Sequence, residues 1–150
     1  MLKTTFTLIL FLFLSSCGYK AIHSKKNNNS YDFSISKLSF IGDRNINLRI
    51  KEKLNNYTLN KKDKNFILDI ESDVGKEILS KDASGEVTNF KISIKIKVEV
   101  LAKSNLEITE NFSYNNIENK FNLKTYENQV IKDLTNTAID KLIFKLSNIQ

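Results

Sequence analysis

Hydrophobic and polar positions alternate most strictly near the middle of the chain. Phe90, Ile92, Ile94, Ile96, Val98 and Val100 fall on one side, and Lys91, Ser93, Lys95, Lys97 and Glu99 on the other. A period of two sustained this long predicts a strand with one buried face and one wet, largely basic face. Upstream, Phe66-Ile67-Leu68-Asp69-Ile70-Glu71 opens a strand that continues toward Ile78 and Leu79, and Asp82-Ala83-Ser84-Gly85 supplies turn residues before the next run. The two form a predicted hairpin. Downstream, Ala102-Lys103-Ser104-Asn105 breaks the pattern before Leu106, Ile108, Phe112 and Tyr114, which share the alternating phase and make a meander of three strands. Nearer the start, Phe33 and Ile35 and then Leu38 and Phe40 alternate, with the phase slipping by one residue at Ser36 or Lys37. A bulge or a strand end produces such a slip.

Two segments carry the helical period instead. Ile46, Ile50, Leu54 and Tyr57 recur at spacings of four, four and three after Asp43, a residue suited to cap a helix N-terminus. Val130, Ile131, Leu134, Ala138, Leu142, Ile143 and Leu146 form one stripe, with Lys132, Asp133, Asn136, Asp140 and Lys145 largely opposite. The order is strand, helix, three strands, helix. The fold class expected is α+β (β-α-β-β-β-α), two helices on one face of a four-stranded mixed sheet, with the first helix crossing over between two parallel strands.

The first thirty residues follow neither period. Residues 1–16 place Lys3 before an apolar stretch, residues 6–14, and then Ser15 and Ser16, the order of a secretory signal. The stretch is shorter than the roughly 20 apolar residues of a membrane-spanning helix. The only cysteine, Cys17, follows immediately, so no internal disulfide is available. Residues 18–30 are polar and low in complexity, and the only histidine, His23, lies among them. The organisation expected is a cleaved signal peptide (1–16), a lipidated N-terminus and tether (17–30) and one α+β domain (31–150). A chain of 150 residues that is 41% hydrophobic supports a single core of this size.

Chemistry is sparse. No nucleotide-binding glycine loop, nucleophile elbow or metal-spaced Cys/His cluster occurs, and no metal site is expected. Acidic pairs such as Asp69 with Glu71 or Glu107 with Glu110 read as residues of a solvated strand face, so no catalytic residue is assigned and the chain is expected not to be an enzyme. The net charge is +6, a modest excess spread along the chain, and export disfavours nucleic acid as a partner. The feature with most chemical character is the wet face of the long strand, where Lys91, Lys95 and Lys97, with Lys103 near its end, space their ammonium groups evenly. Such a row meets phosphates or sugar acids, or simply discourages edge-to-edge pairing.

Leu14-Ser15-Ser16-Cys17 resembles the lipobox of bacterial lipoproteins, in which the thiol is acylated and the chain is cut just before it. That resemblance makes Cys17 the lipidation site, its covalent lipid the only attached group expected, with no other cofactor, and Gly18 behind it a mark of delivery to the outer membrane. Cys17-Gly18-Tyr19, then Phe40-Ile41-Gly42-Asp43-Arg44, Ser84-Gly85-Glu86-Val87-Thr88, Phe112-Ser113-Tyr114-Asn115 and the closing helix with Ala138 follow one another as in the LPS-assembly lipoprotein LptE family, which the chain resembles in its alphaproteobacterial type. The resemblance implies two helices on a four-stranded mixed sheet. It also implies a lipid-anchored protein on the periplasmic side of the outer membrane that plugs an LptD-like β-barrel and assists lipopolysaccharide assembly. Lipopolysaccharide contact through Lys91, Lys95 and Lys97 is implied in the same way, although family members carry a basic residue after the threonine where this chain has Asn89. The alternative is an accessory lipoprotein of another envelope assembly or secretion machine, with no lipid ligand.

Overall fold

The computed structural model describes residues 31–59 and 61–149; the leader, Cys17, His23 and the tether lie outside them. The elements are β1 (Ser34–Gly42), α1 (Arg44–Leu54) with a 3-10 turn (Asn55–Tyr57), β2 (Asn65–Lys81), β3 (Val87–Val100), β4 (Ser104–Asn115) and α2 (Lys120–Asn148). The strands lie in the order β1-β2-β3-β4. β1 runs parallel to β2, and the other two pairs are antiparallel. This is the expected mixed sheet with two helices.

The phase slip in β1 is a register shift between Ile35 and Lys37, which lets Ile35 and then Leu38 and Phe40 turn to the same side. β1 stops at Gly42 because the chain must leave the sheet there. Gly42 has φ +99, and a Cβ on it would overlap the Ser72 carbonyl, so only glycine fits. Asp43 then caps α1, its carboxylate accepting from the backbone N–H of Asn45 and Ile46 at 2.9 Å. Ile46, Ile50 and Leu54 of α1 are buried, and Tyr57 stacks on Phe33 with ring centroids 4.6 Å apart.

The core gathers these residues with Phe66, Leu68 and Ile70 of β2, Ile94, Ile96 and Val98 of β3, and Ala138, Ile139, Leu142 and Leu146 of α2. Each fully buried Ile or Leu contributes roughly 1.5–3 kcal/mol of transfer free energy. Thr135, buried on the same helix, satisfies its hydroxyl by donating to the Ile131 carbonyl at 2.6 Å.

α2 begins about three turns earlier than its apolar stripe. Asn119 caps it by accepting from the N–H of Phe121 and Asn122, and the first turns bury little: Phe121 and Tyr126 are exposed. A second, smaller cluster of Ile92, Tyr114 and Val130, backed by Phe90 and Leu123, holds this half of the helix. Among the described residues no helix is long and apolar enough to cross a membrane.

Candidate functional site

The face of the sheet away from the helices is where the predicted binding lysines stand. The hairpin turn at residues 82–85 is closed by Asp82, whose carboxylate accepts from the Ser84 N–H, the Ser84 hydroxyl and the Glu86 N–H. From that turn the β2–β3 register runs without a shift between Leu68 and Ile78, pairing Glu77 with Lys91, Asp73 with Lys95 and Glu71 with Lys97. β4 adds Thr109 beside Lys95 and Glu107 beside Lys97.

Each lysine of the row therefore has a carboxylate. Lys91 reaches Glu77 at 2.8 Å, Lys95 reaches Glu107 at 2.8 Å and Lys97 reaches Glu71 at 3.1 Å. The hydrogen bond and charge of Glu107 raise the pKa of Lys95, and the hydrogen bond from Lys95 lowers that of Glu107. Both are exposed, so water and salt screen the pair and it adds little to stability. Chemically the pairing matters more. An anion that comes to these ammonium groups exchanges with a carboxylate instead of meeting a bare charge.

Register also places Asp69, Asp73 and Glu99 on this face, with Lys37 as the further base. Carboxylates outnumber lysines here although the whole chain is positive. A concavity of about 850 Å³ spans all four strands, from Ile41 of β1 to Leu106 of β4, and brings Lys97 among the acidic Asp69, Glu71, Glu99 and Glu107. Lys103 is not part of the row, since its ammonium lies 5.4 Å from the centre of the Phe66 ring.

Of the acidic pairs read from sequence, Asp69 and Glu71 do share this open face. Glu107 and Glu110 do not, because Glu110 stands opposite Ile94 on the helix side and binds Lys141 of α2 at 2.6 Å. A separate cluster was hidden from the sequence. Glu127 of α2 accepts from both Lys76 and Tyr114 at 2.6 Å, and the Lys76 ammonium sits 4.0 Å from the centre of the Phe90 ring. Burial, then the hydrogen bond to Glu127, pushes the Tyr114 hydroxyl well above its ordinary pKa. Among the described residues no group of three or more His, Cys, Asp or Glu is gathered for a metal.

No protein-family model matches the chain, and no curated protein matches it by sequence. Solved structures that share its fold include rare lipoprotein B from Shewanella oneidensis, at 15% identity, covering 74% of this chain and 93% of that one with a TM-score of 0.55. They also include an uncharacterized lipoprotein B from Nitrosomonas europaea, at 15% identity, covering 78% and 86% with a TM-score of 0.54.

Proposed function

We propose that this chain is an outer-membrane lipoprotein of the LptE type, anchored through Cys17, which plugs an LptD-like barrel and assists lipopolysaccharide assembly without making or breaking a bond. One observation supports the reading above the rest. A chain whose Leu14-Ser15-Ser16-Cys17 resembles a lipobox has the fold of two bacterial lipoproteins and spans most of the length of each.

A plug suits the surface described above. The open sheet face is polar and mixed in charge, which matches the polar, water-lined interior of a large barrel, whereas α2 exposes Phe121, Tyr126 and Phe144 among its charged residues. Lys91, Lys95 and Lys97 are the proposed lipopolysaccharide contacts. Their mechanism is exchange: phosphates of the lipid take the place of Glu77, Glu107 and Glu71, whose carboxylates hold the ammonium groups extended until then.

The test is purification of the tagged, lipidated protein from gently solubilised envelopes. A plug inside a barrel buries far more surface than a transient contact, so a large barrel protein is expected in equal amount after extensive washing. Recovery with no barrel, or with the parts of a different envelope machine, overturns the assignment.

A further inference from the structure

We propose that the edge of β2 beyond Ser72 is a docking site for an extended segment of a partner protein that alternates apolar with basic residues and joins the sheet as an added strand. This does not depend on the lipopolysaccharide reading. β2 runs from Asn65 to Lys81, yet β1 pairs with it only as far as Ser72, where Gly42 and Asp43 turn the chain into α1. Among the described residues nothing pairs with this edge over residues 73–81.

The backbone defines what is missing. The Ser72 carbonyl points to the β1 side, where it accepts from the Asp43 N–H at 3.0 Å. Main-chain groups alternate along a strand, so Val74, Lys76 and Ile78 turn their N–H and C=O outward to the same vacant side, while Asp73, Gly75 and Glu77 bond to β3. Only another strand satisfies such a row in register.

The side chains on either face add selectivity. On the helix side α2 packs mainly over β3 and β4 and reaches this part of β2 through Glu127, which binds Lys76, and through the cluster against which Val74 is half-buried, so that Ile78 beside the Phe90 ring stays 54% exposed. Apolar side chains of an added strand cover Val74 and Ile78. On the other side β2 carries Asp69, Glu71, Asp73 and Glu77 over its regular register, with Lys81 as the one base at its end, past the register shifts. β3 answers them from within the fold with Lys97, Lys95 and Lys91, and a strand in the vacant slot meets Asp73 and Glu77 from the other flank. At Gly75 nothing stands within 4 Å of where a Cβ would lie, so the fold's own packing does not require glycine there. A bare backbone at that point gives a neighbouring strand close approach.

The probe is a blocked synthetic peptide with the sequence of residues 91–97, Lys-Ile-Ser-Ile-Lys-Ile-Lys, added to the full lipidated chain in detergent. Binding is read by fluorescence anisotropy and by amide hydrogen exchange. At a tenfold excess over Kd the amides of Val74, Lys76 and Ile78 are expected to exchange about tenfold more slowly. Asp73→Lys is expected to weaken binding roughly fivefold to tenfold by turning an attraction into a repulsion. Ile78→Pro, which removes an outward N–H, abolishes binding, whereas Asn111→Pro on the outer edge of β4 leaves it. If Ile78→Pro does not fold, Asp73→Lys decides. Three results overturn the proposal: no binding, binding that protects β4 instead and survives Asp73→Lys, or concentration-dependent protection of the same amides without peptide, which makes the occupant a second copy of the chain.

Discussion

Replacing Glu127 with alanine removes the acceptor shared by Lys76 and Tyr114, and the structure sets the size of the effect. Tyr114 is buried, so losing its partner leaves a desolvated hydroxyl at a cost of about 1–3 kcal/mol. The Lys76 side chain is 40% exposed and that of Glu127 17%, so the ion pair is partly screened and adds about 0.5–1 kcal/mol. Glu127→Ala is expected to cost about 1.5–4 kcal/mol in all. Tyr114→Phe removes the donor instead, and in the Glu127→Ala background it costs almost nothing because no bond remains to lose. The two single changes and the double change therefore miss additivity by about 1–2 kcal/mol. Urea denaturation of the four proteins measures this, the coupling corresponding to a midpoint difference near 1 M at an m-value of about 1.5 kcal/mol/M. Additivity within about 0.5 kcal/mol refutes the reasoning, for it means that water already satisfies Tyr114 and that the first turns of α2 are held without Glu127.

The alkaline limb offers a second test. Tyr114 is raised above its ordinary value of 10.0, chiefly by burial, so it contributes stability that is present below pH 10 and lost as pH rises past it; Tyr114→Phe flattens that loss in pH-dependent thermal melts. At the acid end, hydrogen bonds led by that of Ser84 hold Asp82 below its ordinary 3.8, and its contribution is present above pH 3.8 and lost as pH falls further; Asp82→Ala removes this part of the acid slope. Gly42→Ala, which drives a methyl into the Ser72 carbonyl at φ +99, is expected to lower stability by about 3 kcal/mol or more in denaturant titration, against less than about 1 for Gly75→Ala. Cys17→Ser is expected to move the protein from the membrane to the soluble periplasmic fraction and to abolish its labelling by radioactive palmitate.

Much of the fold was legible because each element obeys one period. The β1 bulge shows as a slip between Ile35 and Leu38, Asp43 stands directly before the stripe it caps, and the six alternating residues from Phe90 to Val100 all face the helices. The beginning of α2 was not legible, because Phe121, Leu123 and Tyr126 are followed by no continuous stripe and the signal is a single capping Asn119. In the candidate site the lysine row was visible and its acidic partners were not, since period two says which side a residue faces and not what lies across from it. The turn at residues 82–85 held that information. Counting outward from the closing pair Asp82 and Glu86 sets Glu77 against Lys91 and Glu71 against Lys97, the two register shifts near Ser80 cancelling, and so turns a basic stripe into a mixed face. The Lys76, Tyr114 and Glu127 cluster joins three elements, and no local pattern brings them together.

The most direct test of the central claim is depletion of the protein in its own cells, followed by labelling of lipopolysaccharide at the cell surface. The account predicts that surface lipopolysaccharide falls as the protein is lost, that it accumulates behind the outer membrane, and that wild-type chain restores it while Cys17→Ser restores it poorly. Surface lipopolysaccharide that stays unchanged when the protein is gone contradicts the account and leaves an α+β protein with the fold of the two lipoproteins.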